Sequence, residues 1–283
     1  MIADPRGTID YDETGAGPTI VLVPGSCSTG AAWRPIIGHL QSGFRCVTTS
    51  LLGYGGTAER RSRNDANIAA EADIVTDVIR HTNGPVHLVG HSFGGLCALA
   101  VAMRHPDLLL SLTILEAPAA EVLRETGEDR LYGEFRAMTG AYFGAWEAGE
   151  PHAIERMIDF YGGTGTFQSW PQRVRDYAVT TTPANLLDWA CAFGFALTPP
   201  IVASVTTPTL VAWGDSSHPA AKRANALLGQ HIPKAAVAEI PSAAHFMIAT
   251  HPKQMADLIA HHIIRSGKTT VTTRPLKSRP HLD

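Results

Sequence analysis

The chain is poor in the features that mark several protein classes. Its 283 residues hold only four cysteines, Cys27, Cys46, Cys97 and Cys191, with no C-x-x-C among them. That scarcity argues against a disulfide framework or a cysteine-based metal site and fits reduced thiols in a cytoplasmic protein. Charged residues make up 17%, and 23 Lys and Arg against 26 Asp and Glu leave a net charge of −3. No basic excess exists to hold a nucleic-acid backbone. No run approaches the ~18 apolar residues of a membrane span. Residues 1–8, with Asp4, Pro5 and Arg6, lack the apolar centre of a secretory signal. The 13 histidines are scattered, and the adjacent pair His261 and His262 would point about 100° apart on a helix, which suits no metal. A small-molecule substrate is the expected partner, without nucleic acid, membrane, metal or cofactor.

What is present is a long alternation of two periods. The hydrophobic fraction of 45% suffices for one large core. Short β-type runs fall at residues 7–14, 19–23, 44–49, 86–89, 111–115, 209–213 and 236–240, several with consecutive apolar residues as in strands covered on both faces. Helical patterns lie between them. Asn67 can cap a helix that buries Ile68, Ala72, Val75, Val78 and Ile79, and residues 93–104 and 246–264 read as helices too. The spacing predicts an α/β fold, a mostly parallel sheet flanked by helices.

Residues 117–205 break the alternation. They hold helical segments punctuated by Gly and Pro, no convincing buried strand, and 13 of the chain's 20 aromatic residues. So aromatic a stretch needs a surface to bury against, and a helical cap over the carboxyl edge of the sheet is expected, with residues 1–116 and 206–265 as the core. Residues 266–283, polar with Lys268, Arg274, Lys277 and Arg279, read as a disordered tail.

The chemistry centres on Val86-His87-Leu88-Val89-Gly90-His91-Ser92-Phe93-Gly94-Gly95. A buried strand runs into G-x-S-x-G and then into a helix with no spacer. Such a turn forces Ser92 into a strained conformation with its hydroxyl pointing away from the sheet, and only small residues two positions either side avoid a clash. Here the chain resembles the α/β-hydrolase superfamily, over all but the tail. The resemblance implies Ser92 as nucleophile and places the helical cap after the sixth of the family's strands, here residues 111–115.

Val21-Leu22-Val23-Pro24-Gly25-Ser26 resembles the family's loop after its third strand, with Pro24 where His is usual. The implied oxyanion hole is made by the backbone N–H groups of Ser26 and Phe93. Ser50-Leu51-Leu52-Gly53-Tyr54-Gly55-Gly56-Thr57 resembles a structural turn of the family, with Ser50 in place of Asp. His245, in Ile240-Pro241-Ser242-Ala243-Ala244-His245-Phe246, matches the family's general base, and the ordinary pKa of histidine suits a group that takes and returns a proton.

Two residues compete as the acid that orients the His. The family's usual position, after its seventh strand, falls on Ser217, and Asp215 comes two residues early. Glu116 ends Thr113-Ile114-Leu115-Glu116-Ala117-Pro118 and resembles the acid of some haloalkane dehalogenases and lactonases, which carry it after the sixth strand. Glu116 is preferred, with Asp215 as the alternative. The resemblance implies hydrolysis of a carboxylic ester or lactone through an acyl-enzyme. Carbon–carbon bond hydrolysis or a lyase reaction on the same triad, or a hydrolase-like receptor with little turnover, are the alternatives. A serine nucleophile argues against dehalogenase and epoxide hydrolase chemistry, which the family runs with Asp.

Overall fold

Strands and helices alternate along the computed structural model, which describes residues 1–270. The strands are β1 (Ile2–Asp4), β2 (Gly7–Ile9), β3 (Asp12–Thr14), β4 (Thr19–Val23), β5 (Arg45–Thr48), β6 (Val86–His91), β7 (Leu109–Leu115), β8 (Thr209–Gly214) and β9 (Ala236–Ile240). β1 and β2 form a separate antiparallel pair, and the other strands make one sheet in the order β3-β5-β4-β6-β7-β8-β9. Only β3 runs antiparallel to its neighbour in that sheet. The carboxyl ends of β4 to β9 therefore share one edge, where ligands of open α/β sheets sit.

The single strand expected over residues 7–14 is two. The break falls at Asp10, whose N–H donates to Thr57 Oγ1 at 3.0 Å and whose carbonyl accepts from Thr49 Oγ1 at 2.7 Å. Side chains take the backbone groups that a continuous ladder would use.

Ahead of the sheet's middle come α1 (Arg34–Leu40), α2 (Ile68–His81) and α3 (Phe93–Arg104). Asn67 caps α2 as expected, its side chain accepting from Ala70 N at 3.2 Å. Between β7 and β8 lie α4 (Ala120–Glu125), α5 (Asp129–Glu147), α6 (Glu155–Gly162), α7 (Thr166–Ser169), α8 (Gln172–Thr180), α9 (Thr182–Gly194) and α10 (Pro199–Val202), with no strand. The chain closes with α11 (Pro219–His231), α12 (Met247–Thr250) and α13 (Pro252–Thr270). The helix expected over 246–264 is thus broken at His251, because Pro252 lacks an N–H and drives the residue before it out of helical geometry. α13 runs through Thr270, five residues into the segment expected to form a tail, and residues 271–283 lie outside those described.

The core has two halves, one on each face of the sheet. Successive residues of β4 alternate between them. Val21 and Val23 pack with buried residues of α2, α3, α11 and the helices between β7 and β8. Ile20 and Leu22 pack with Trp33, Ile36 and the inner face of α13. β6 is buried along its whole length, as a central strand covered on both faces must be. No helix of the described residues is long and apolar enough to cross a membrane.

Candidate active site

The left-handed backbone positions show where the fold is strained. Among the described residues six non-glycine positions have positive φ, and four of them, Cys27, Ser92, Glu116 and Ser242, follow the carboxyl ends of β4, β6, β7 and β9. Each costs on the order of 1–3 kcal/mol, and such residues persist only where the surroundings over-determine them.

Ser92 sits between β6 and α3 with φ 54° and ψ −128°. Its N–H donates to Leu115 O at 2.9 Å and its carbonyl accepts from Gly95 N at 2.8 Å, which pins the turn to β7 on one side and to α3 on the other. A Cβ on Gly90 would lie 2.2 Å from Gly94 O, so the turn admits no side chain there. The hydroxyl comes within 3.0 Å of His245 Nε2.

His245 is 3% exposed. Its Nδ1 lies 2.9 Å from Glu116 Oε1. The ring stacks on Tyr161, centroids 4.0 Å apart and planes 26° apart, and meets Phe246 edge-on. Its own carbonyl accepts from His91 Nε2 at 2.8 Å. Burial, with His245 adding to it, lowers the His91 pKa to about 3, so that ring is neutral and its donating nitrogen is Nε2.

Glu116 leaves β7 with φ 47° and is fully buried. Its N–H donates to Ala212 O at 2.8 Å. Oε2 accepts from Gly214 N at 3.0 Å and from Ser217 Oγ at 2.5 Å, while Oε1 faces His245. Burial pushes this carboxyl upward, but the bonds from His245, Ser217 and Gly214 outweigh it and hold the pKa below the usual glutamate value. The group is therefore a carboxylate, aimed at the imidazole.

Asp215 is elsewhere. It is exposed, its carboxylate accepts from Ser216 Oγ at 2.8 Å, and its backbone carbonyl accepts from Lys222 Nζ at 2.8 Å. No hydrogen bond joins it to His245 among the described residues. Ser217, the position where the resemblance expects the acid, instead donates to Glu116. That role escaped the sequence reading, although the coincidence of position was its signal.

Phe93 follows Ser92 in the chain, and Ser26 follows Gly25, which lies against Ser92. Gly25 packs so closely that a Cβ there would lie 2.8 Å from Ser92 Cβ. Neither the Ser26 nor the Phe93 amide donates to a protein acceptor among the described residues. Both residues line a cavity of about 370 Å³ that also reaches Ser92 and His245. Its far wall comes from the helices between β7 and β8, through Tyr161, Trp170, Asn185, Asp188 and Trp189. Cys27 lines it as well, but burial and the nearby Asp188 raise its pKa to about 12, so the thiol stays protonated and is no nucleophile.

A second buried network borders the same cavity. Asp188, 2% exposed, accepts from Ser26 Oγ at 2.5 Å, Tyr54 Oη at 2.6 Å and Arg61 Nη1 at 2.8 Å. Arg61 also lies 2.8 Å from Glu59 and 2.7 Å from Glu71, and donates to Leu52 O at 3.1 Å. Nothing in the sequence pointed to this cluster, whose members lie up to 162 residues apart.

Comparison with known proteins identifies the family of the fold. A family model described as the alpha/beta hydrolase fold matches residues 18–252. The chain is 30% identical over 109 residues to (E)-2-((N-methylformamido)methylene)succinate hydrolase of Acinetobacter baylyi, a match covering 38% of this chain and 41% of that protein. It is 23% identical over 281 residues to pimeloyl-(acyl-carrier protein) methyl ester esterase of Aeromonas hydrophila, covering 90% and 99%. The chain thus spans about two-fifths of the first relative and nearly all of the second. Among solved structures, a thermophilic esterase from Thermogutta terrifontis matches with a TM-score of 0.67 and 23% identity over 91% of this chain and 93% of that one, a likeness of fold.

Proposed function

The chain belongs to the α/β-hydrolase fold family, and we propose that within it the protein is a serine hydrolase that cleaves a carboxylic ester or lactone through an acyl-enzyme. The observation that carries this reading is the chain of contacts from Ser92 Oγ to His245 Nε2 at 3.0 Å and from His245 Nδ1 to Glu116 at 2.9 Å. His245 takes the Ser92 proton as the oxygen attacks the carbonyl carbon. Glu116 stabilises the imidazolium so formed and keeps Nε2 turned to the nucleophile. The Ser26 and Phe93 amides hold the oxyanion, each worth about 2.7–4 kcal/mol in the transition state. The imidazolium returns the proton to the departing alkoxide, leaving Ser92 acylated. Water, deprotonated by the same His245, then attacks the acyl carbon, and collapse of the second tetrahedral intermediate releases the acid and restores Ser92.

In this reading the helices between β7 and β8 form a cap whose aromatic wall favours a small to medium apolar substrate. The relative that is matched along nearly its whole length is named a methyl ester esterase, in keeping with that chemistry. The test is a panel of p-nitrophenyl esters of increasing chain length together with lactones, with Ser92→Ala as control. Multiple turnovers in the wild type that vanish in the control support the proposal. A panel that binds without turning over would make the protein a receptor on a hydrolase fold.

A further inference from the structure

The loop that carries Ser26 is fastened on both sides. On one side Gly25 is pressed against Ser92. On the other, Ser26 Oγ donates at 2.5 Å to Asp188, a residue of α9 far along the chain. The next residue, Cys27, is held in the left-handed region at φ 56°, so the loop does not rest in its relaxed shape and something must keep it there.

Charge balance does not account for Asp188. Arg61 already has Glu59 at 2.8 Å and Glu71 at 2.7 Å as partners. A second fully buried carboxylate, beside Glu71 and with Glu59 open to solvent, adds desolvation cost to a cluster that is neutral or negative without it. What Asp188 contributes beyond its contact with Arg61 is an oxygen that accepts from two hydroxyls, Ser26 and Tyr54. Arg61, bonded to Asp188 Oδ1 at 2.8 Å, opposes the upward push of burial on that carboxyl and aims it.

We infer that Asp188 is a positioning residue, which through the Ser26 hydroxyl holds the loop so that the Ser26 amide points at the oxygen of a carbonyl attacked by Ser92. This rests on the hydrolase reading above. A bond to a carboxylate is among the stronger and shorter hydrogen bonds, which suits it to hold a strained loop. It also couples the cap to the chemistry, since α9 lines the cavity through Asn185 and Trp189 as well.

Ser26→Ala removes the bond but keeps the amide. Tyr54→Phe removes a comparable bond to the same carboxylate oxygen but leaves the Ser26 bond in place, and is the control for a merely structural effect. With p-nitrophenyl butyrate, Ser26→Ala should lower kcat about 10- to 100-fold, less than the ~10²–10³-fold typical of deleting an oxyanion donor outright, with KM within about 3-fold. Affinity for butaneboronic acid, which forms a tetrahedral adduct on Ser92, should fall in step with kcat. Tyr54→Phe should leave kcat within about 2-fold, whatever it does to the melting temperature. Ser26→Ala combined with Asp188→Asn should be little worse than Ser26→Ala alone, because both cut one connection. The inference is overturned if Ser26→Ala retains wild-type kcat, if Tyr54→Phe loses as much, or if boronate affinity does not follow kcat. A wild type that neither turns over the ester nor binds the boronate overturns the hydrolase reading itself, and the inference with it.

Discussion

Glu116 and Asp188 are both buried carboxylates beside the same cavity, one at the end of a strand and the other on a helix of the insertion. Glu116 has each oxygen matched to a donor, and its charge is favoured despite burial. Asp188 also has three donors, yet burial outweighs them and Arg61 together and raises its pKa. Their neighbours differ in the same sense. Around Glu116, Ser217, His91 and His245 all have hydrogen-bond partners. On the insertion, Tyr161 Oη and Asn185 Oδ1 are buried with none. The strand ends are hydrogen-bonded into one geometry, as groups that move protons need to be. The helical wall leaves polar atoms without protein partners, an arrangement that costs stability and that packing alone would not retain.

The sharpest way to break this contrast is at the nucleophile. In the proposed mechanism Ser92 and His245 act as one unit, so Ser92→Ala and His245→Ala should each lower turnover by several orders of magnitude, on the order of 10⁴–10⁶-fold, and the double variant by little more. Initial rates on the best ester of the panel measure this. Losses that multiply would show the two residues acting independently.

The choice of acid comes next. Glu116→Gln keeps the shape but removes the charge facing the imidazolium, and should cost at least ~10²-fold in kcat with KM nearly unchanged. Asp215→Asn alters an exposed turn residue, and should cost less than roughly tenfold. A severe Asp215→Asn beside a mild Glu116→Gln would transfer the role to the end of β8. The same carboxylate gives an acid limit. Its folded pKa is depressed, so its contribution to stability is present above the unfolded value near 4.3 and is lost as pH falls through the lower folded value.

This contrast also marks what could be read from the sequence. The strand–Ser92–helix turn is local, so a few residues carry its geometry, and the alternation of periods gave the sheet. Glu116 could be preferred but not separated from Asp215, because β7 and β8 are neighbours that together lie between β6 and β9. The backbone path after each strand decides, and it turns Glu116 inward at φ 47° while leaving Asp215 in solvent. Ser217 as a partner of Glu116, and Arg61 as a partner of Asp188, depend on residues 101 and 127 positions apart. No spacing rule reaches that far. The break at Asp10 was hidden for a related reason, since Thr49 and Thr57 come from other parts of the chain.

A smaller effect tests the contrast in stability rather than rate. Ser217→Ala deprives Glu116 of a donor and should cost about 1–3 kcal/mol, the usual penalty for a buried group left short of a partner. Tyr161→Phe and Asn185→Leu remove polar atoms that have no partner, and should change stability by no more than about 1 kcal/mol, or increase it. Denaturant midpoints give the comparison. A Tyr161→Phe as damaging as Ser217→Ala would mean that the insertion is as tightly satisfied as the strand ends.

The smallest expected effect concerns the charge state of the Arg61 cluster. If Glu59, Glu71 and Asp188 were all ionised, three carboxylates would face one guanidinium. Glu71 is the member best placed to hold a proton. It is fully buried, it accepts only the Leu52 N–H at 3.2 Å, and its other oxygen lies 2.7 Å from Arg61 without the alignment of a hydrogen bond. Asp188, by contrast, has three donors, and Glu59 reaches solvent. Burial raises the Glu71 pKa to about 8 against the attraction of Arg61. A carboxyl whose folded pKa is raised binds its proton more tightly in the native state. Its contribution is therefore fully present below the unfolded value near 4.3 and is lost as pH climbs through the folded one. Stability should thus decline between about pH 5 and pH 8 through this group. Glu71→Gln keeps the neutral shape at every pH and should flatten that decline while matching the wild type near pH 5. Melting temperatures of both proteins across pH 5–9 decide the matter. Parallel curves would mean that Glu71 is ionised throughout and that Arg61 carries all three carboxylates, which would make the cluster a site of stored repulsion beside the helices between β7 and β8.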